Sequence, residues 1–266
     1  MKNNSRQEFL KKTLGVTEGA WGADLAFSAP IIMIFIAIAW VLSACTTPKE
    51  TEPNTLTKQE IADGWVLLFD GKTTTGWRGA NKNRFPEKGW VVEDGMLTTL
   101  DKGGGGDIVT EKMYSNFELS VDFKAPINSN SGIKYFVLED TYVEGSALGL
   151  EYQTYDTGER PFDDTNLFSL ACLYEIFPAA NRVVNPAGEW NNARIIANGI
   201  HVEHWLNGIK VLEYERGGEA FRKAVAKSKF KNYPNFGEAL KGHILLQDHT
   251  DLTSFRNIKI RELCCK

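Results

Sequence analysis

Residues 150–155 carry a pattern that could do chemistry. Glu151, Gln153 and Tyr155 alternate with Leu150, Tyr152 and Thr154, so an extended strand puts the first three on one face. Residues two apart on a strand are roughly 6.6 Å apart. At that spacing two side chains can hold different hydroxyls of one ring, and an uncharged amide such as Gln153 suits that task. On the preceding candidate strand Lys134 shares a face with Phe136, opposite Ile133 and Tyr135. If the two strands are neighbours, Lys134 reaches Glu151, either as a surface ion pair or as part of a site. Gln247 and His249 share a face at the end of an apolar stretch. Histidine titrates near neutrality without help. Of His201, His204, His243 and His249, the last leaves a strand beside Asp248, where a loop could expose it; its ordinary alternative is a structural ring bonded to backbone. His204 has the parity of Val202 and Leu206 and reads as a core histidine. Trp205 lies on the other face with Glu203, as a stacking platform or as simple packing.

The elements that must position these residues are strands. Phe117–Lys124 alternates apolar and polar residues throughout, the signature of a strand with one face on a core and one in water. Segments 65–69, 132–138, 150–155, 194–197, 202–206, 210–214, 243–247 and 254–260 are further candidates. Asp70-Gly71, Asp94-Gly95, Asn198-Gly199 and Asn207-Gly208 sit at strand ends and tolerate the positive φ of tight hairpins. The run from Arg194 to Glu215 therefore predicts a three-stranded antiparallel meander. One stretch, 219–227, reads as helical, with Phe221, Ala224 and Val225 on one stripe. The four glycines 103–106 lack the Gly-Lys-Ser/Thr ending of a phosphate loop and read as a flexible loop. This many strands in one domain predicts an all-β fold, a two-sheet antiparallel β-sandwich.

Composition is that of an ordinary globular chain, with 42% hydrophobic residues in 266. The net charge of −4 shows no basic excess, so no nucleic-acid partner is expected. The N-terminus reads as an address. Residues 31–42, IIMIFIAIAWVL, are an unbroken apolar run of 12, shorter than the ~20 residues that span a bilayer and suited to a signal-peptide core. Leu42-Ser43-Ala44-Cys45 follows and resembles the bacterial lipobox, in which the Cys receives acyl chains; several chains together anchor stably. Ser5 to Lys12 resembles a twin-arginine export signal with Gln7 in the second arginine place. The expected organisation is a lipoprotein signal peptide (1–44), a polar tether (45–58) and one domain (59–266), exported and held to a membrane of the cell envelope through lipid on Cys45. Removing residues 1–44 takes away four basic and three acidic side chains and leaves a net charge of −5. Cys172 reads as a buried thiol. Cys264 and Cys265 are adjacent, and no cysteine spacing suggests a zinc site or a disulfide framework.

Several stretches together resemble one family. They are Gly64-Trp65-Val66-Leu67-Leu68-Phe69-Asp70-Gly71, Ser131 to Tyr135, Gly149-Leu150-Glu151-Tyr152-Gln153, Pro186 to Asn191, Val202 to Gly208, Gly242 to His249 and Phe255 to Arg261. In this order, from about residue 60 to 263, they are similar to the 3-keto-disaccharide hydrolase domain family. The resemblance implies a concanavalin A-like jelly roll and a carbohydrate substrate, a glycoside whose C3 hydroxyl has been oxidised to a ketone. The ketone acidifies the C2 hydrogen, so a base can remove it and the C1 substituent can leave. That chemistry needs a base, an electrophile for the enolate oxygen and an acid for the leaving group. Glu151 or His249 is the candidate base and Lys134 the candidate enolate partner. Gln153, Tyr155, Gln247 and Trp205 are the candidate substrate contacts. No cofactor is expected. A divalent metal could replace the lysine, but no ligand spacing demands one. Family members often carry an acidic, His-containing segment after the Glu-x-Gln strand; here Asp156–Asn166 has acids and no His. An ordinary glucanase would need a Glu-x-Asp-x-x-Glu strand, which is missing. The remaining alternative is a lectin-like lipoprotein that binds sugar and does no chemistry.

Overall fold

A computed structural model describes residues 52–143 and 146–264. The expected signal peptide, Cys45 and Cys265 lie outside the described residues. The elements in chain order are α1 (Lys58–Ala62), β1 (Trp65–Leu67), β2 (Trp77–Gly79), β3 (Trp90–Glu93), β4 (Met96–Thr99), β5 (Ile108–Thr110), β6 (Phe117–Lys124), β7 (Gly132–Val143), β8 (Ser146–Gln153), β9 (Asn191–Asn198), β10 (His201–Leu206), β11 (Ile209–Glu215), α2 (Glu219–Val225), a short 3-10 helix (Lys229–Asn232), β12 (His243–Leu246) and β13 (Thr253–Glu262). The strands form two antiparallel sheets. One runs β11-β10-β9-β6-β13-β4-β3, with β1 added against β13; the other runs β2-β5-β12-β7-β8. The fold is the expected all-β sandwich. Among the described residues no helix is long and apolar enough to cross a membrane.

The period-two pattern builds the core. Phe117, Leu119 and Val121 of β6 face Ile133, Tyr135, Leu150 and Tyr152 of the other sheet, all fully buried. Apolar faces meeting between two sheets remove the largest area from water. The outer face of β6 is not the solvated face that alternation predicts. Glu118 is 4% exposed, because Arg194 and Arg261 close over its carboxylate. A buried carboxylate held by two guanidinium groups keeps its charge satisfied.

The meander forms as expected. The loop Asn207-Gly208 has positive φ at both residues, +49° and +80°, and joins Leu206 to Ile209. At the other hairpin Asn198 pairs with His201, so the turn residues are Gly199 and Ile200, one position later than expected. Only Gly199 of these has positive φ, the geometry of a II′ turn with glycine leading. Helix α2 covers the edge near β11, burying Phe221.

Three further expectations about the fold need correction. First, the domain starts before residue 59. Asn54 is buried and exchanges two hydrogen bonds with Asn257, at 2.6 and 2.8 Å, and Thr57 and Glu60 form a capping box for α1. Second, the glycine run is not loose throughout: Gly105 is buried against the backbone of 88–89, while Gly104 and Gly106 are exposed. A Cβ at Gly105 would lie 2.3 Å from the Lys88 carbonyl, and one at Gly89 would lie 2.1 Å from the Gly105 nitrogen. Glycine is needed where two backbones approach this closely. Third, Lys134 and Phe136 do not share a face. Phe136 has φ +52° at a bulge between Tyr135 and Leu138. The bulge turns its ring into the core, 5.7 Å from Phe117 and 5.9 Å from Tyr135.

Candidate active site

Strands β7 and β8 pair with Lys134 opposite Glu151 and Gly132 opposite Gln153. Because Ile133, Tyr135, Leu150 and Tyr152 point into the core, Lys134, Glu151 and Gln153 point to the outer face of the five-stranded sheet. There they line a cavity of about 130 Å³ together with Asn130, Gln247 and His249. Gln247 stands just beyond β12, the strand next to β7, and its N–H donates to the Gly132 carbonyl at 3.0 Å.

The floor is electrostatically dense. The Lys134 ammonium lies 3.5 Å from the Glu151 carboxylate, and both side chains are less than 10% exposed. Lys134 Nζ also donates to Ser146 Oγ at 2.5 Å and to the Ala147 carbonyl at 3.5 Å. Burial pushes the Glu151 pKa above the ordinary carboxylate range; the Lys134 and Lys229 charges pull it part of the way back, and Asp107 pushes it up again. Gly132 makes room for this carboxylate, since a Cβ there would meet Glu151 Oε1 at 2.6 Å.

Gln153 is fixed by its own backbone. Its amide oxygen accepts from the N–H groups of Thr154 at 2.9 Å and Tyr155 at 3.2 Å, which leaves the NH₂ group as the donor for a ligand. That curl also ends the strand, so the alternation stops and Tyr155 is not brought to the cavity. Trp205 is not brought there either. It stands on the other sheet, with Nε1 donating to Glu203 at 2.7 Å and the Arg194 guanidinium 5.0 Å from its ring. His204, as expected, is a core residue: it is fully buried, between the Tyr135 hydroxyl at 2.7 Å and the Ala171 carbonyl at 3.0 Å, and burial pulls its pKa down to about 4.

Sequence reading missed the other wall. Tyr174, Lys229 and Phe230 line the cavity. Lys229 Nζ stands 4.7 Å over the Tyr174 ring, and burial raises the pKa of the Tyr174 hydroxyl. The Asn130 amide oxygen is buried with no hydrogen-bond partner among the described residues. These residues sit in irregular segments where no periodicity marks a face. The acids of the 156–166 segment serve the chain itself: Asp156 pairs with Arg160 at 2.7 Å, and Asp164 with the buried Arg182 at 2.9 Å.

Among the described residues one group has metal-ligand spacing: His201, Glu203 and Glu213, with donor atoms within 4.8 Å of one another. It lies on the β10–β11 hairpin, away from the cavity, and Lys210 already bridges both carboxylates.

The comparisons with known proteins bear on the family and the fold. A family model, the 3-keto-alpha-glucoside-1,2-lyase-like domain, matches residues 64–261. A 3-keto-disaccharide hydrolase of Bacteroides thetaiotaomicron is 34% identical over 248 residues, covering 81% of this chain and 84% of the relative. The crystal structure of a presumed glycosyl hydrolase from Parabacteroides distasonis is 35% identical, covers 80% of this chain and all of its own, and superposes with a TM-score of 0.71. A second from the same organism is 28% identical with a TM-score of 0.57, over 75% of this chain and 99% of its own.

Proposed function

The chain belongs to the 3-keto-alpha-glucoside-1,2-lyase-like family and is a glycosidase-like hydrolase, and on that premise we propose that it cleaves 3-keto-glycosides by removing the C2 proton. The electron pair of the C2–H bond moves toward C3 and becomes an enolate on the ketone oxygen. The enolate then collapses, the C1–O bond breaks, and the departing oxygen takes a proton. The product is an enone with a C1=C2 double bond. Water adds back across it, hydroxyl to C1 and hydrogen to C2, and the net change is hydrolysis.

The observation that carries this reading is the buried pair of Glu151 and Lys134. A carboxylate with a raised pKa is a stronger base than one in water, and it is poised nearer neutrality. An ammonium beside it supplies positive charge for the developing enolate, and Lys229 adds a second from the opposite wall. His249, exposed at the rim, suits proton delivery to the leaving group, and Gln153 and Gln247 suit the sugar hydroxyls. A purely binding protein would not need a carboxylate held at raised pKa. We also propose that the domain works outside the cytoplasm, tethered through lipid on Cys45. The direct test of activity is incubation with a 3-keto-disaccharide and with its unoxidised parent. Cleavage of the keto sugar alone supports the reading, and equal cleavage of both refutes elimination.

A further inference from the structure

Just before β5, Asp107 ties the two halves of the cavity floor together. Its Oδ2 accepts from the Ser146 hydroxyl, and the same hydroxyl oxygen accepts from Lys134 Nζ. Its Oδ1 accepts from the Asp248 N–H at 2.9 Å. Asp248 sits between Gln247 and His249, both cavity residues, and its own carboxylate receives the Gly106 N–H at 2.8 Å. Gly105, packed against the backbone of 88–89, anchors the segment that leads to Asp107. We propose that Asp107 is a positioning residue: through Ser146 it holds the Lys134 ammonium in the cavity floor, and through the Asp248 amide it sets the segment that carries Gln247 and His249. This inference rests on the proposed reading of the site.

Asp107 also acts by charge. One ammonium, Lys134, stands between two carboxylates, Asp107 and Glu151. Lys134 attracts both, and Asp107 repels the charge on Glu151. The other groups facing Glu151 are Lys229 on the 3-10 helix and Tyr174 and Cys172 in the loop after β8; His249 stands at the cavity rim. Removing the Asp107 charge leaves Lys134 to pair with Glu151 alone, so the Glu151 pKa falls.

The test compares Asp107→Asn, Asp107→Glu and Ser146→Ala with the wild type, using kcat against pH on a 3-keto-glucoside. Asp107→Asn should move the acid limb down by about one pH unit and lower the plateau about tenfold. Asp107→Glu should restore the limb. Ser146→Ala keeps the charge and cuts the bridge, so the plateau falls while the limb stays. A folded Asp107→Asn with the wild-type limb and plateau overturns the proposal. A second readout does not depend on turnover: the Glu151 carboxyl ¹³C resonance, titrated by NMR, should show a lower midpoint in Asp107→Asn. An unchanged midpoint overturns the charge coupling. If the wild type does not turn over the keto sugar but the midpoint moves, the proposed function fails and the role of Asp107 stands.

Discussion

Gly132→Ala tests the active-site reading through a residue that has no functional group. Gly132 lies in β7 with a backbone that any residue can adopt, since its φ is not among the positive values. An added methyl would meet Glu151 Oε1 at 2.6 Å, Cδ at 2.8 Å and Cγ at 2.9 Å. Ordinary contact begins near 3.4 Å, so the carboxylate must retreat by about 0.8 Å. Its other side is held by Lys134, at 3.5 Å, so the retreat breaks the pair or tilts it. Overpacking of this kind costs about 1–3 kcal/mol, which a domain of this size tolerates. A misplacement near 1 Å costs about 100-fold in rate. The expected result is a folded protein with a modestly lower melting temperature and kcat on a 3-keto-glucoside down about 100-fold. Full turnover by the folded variant would mean that the chemistry does not use Glu151 where it stands.

Other expectations follow from the same geometry. Glu151→Gln, isosteric and uncharged, should lower kcat by about 100-fold or more and spare KM; an unchanged kcat excludes Glu151 as the base. Because the base must be ionised and its pKa is raised, wild-type kcat should climb with pH through a midpoint above the ordinary carboxylate range; a midpoint at or below that range contradicts the assignment. His204 is neutral when folded, with its pKa pulled from 6.5 to about 4, while the unfolded chain takes up a proton near pH 6.5. Stability from this ring is therefore complete at pH 7 and is lost as pH falls toward 4, by about 3 kcal/mol. Urea unfolding at pH 7 and pH 4 should show the wild type losing that much more than His204→Gln, and equal losses would refute it. Cys45→Ser should release the protein from membranes into the soluble fraction, and an unmodified Cys45 thiol in the wild type by intact mass would contradict the lipid anchor.

The residues best read from sequence are those whose environment repeats. In β6 the apolar residues recur at every second position, and in β9 and β10 of the meander the buried set does so with His204 among it; the turns carry their own chemistry in Asn207-Gly208 and Gly199. The strands β2 to β5 have three or four residues each, too few for alternation to stand out, and they escaped. Lys134 opposite Glu151 was legible because two adjacent strands were both clear. Tyr174 and Lys229 were not, because a loop and a 3-10 turn bring them in from distant sequence. Trp205 shows the opposite limit. Its parity correctly put it outside the core, but parity does not say which outer face of a sandwich a residue occupies. Asp107 was hidden for a further reason: its partners are a serine hydroxyl and a backbone amide, which no motif records.

The bulge at Phe136 connects the fold to the site. On an unbroken strand Phe136 would follow Lys134 onto the outer face, and a large ring would stand in line with Lys134 along β7. With φ +52° the chain takes one extra residue, and the ring goes inward between Phe117 and Tyr135. The next outward residue is Val137, fully buried with Val109, Ala147 and Leu245 in a small apolar patch on that same face. Gly242 permits the distortion, since a Cβ there would lie 2.3 Å from the Phe136 carbonyl carbon. The bulge thus buries one aromatic ring, adds an apolar surface beside Lys134, and keeps the ammonium on the side where Glu151 stands. A low-polarity flank strengthens the charge interactions beside it, which is the setting in which a carboxylate keeps a raised pKa at the edge of solvent.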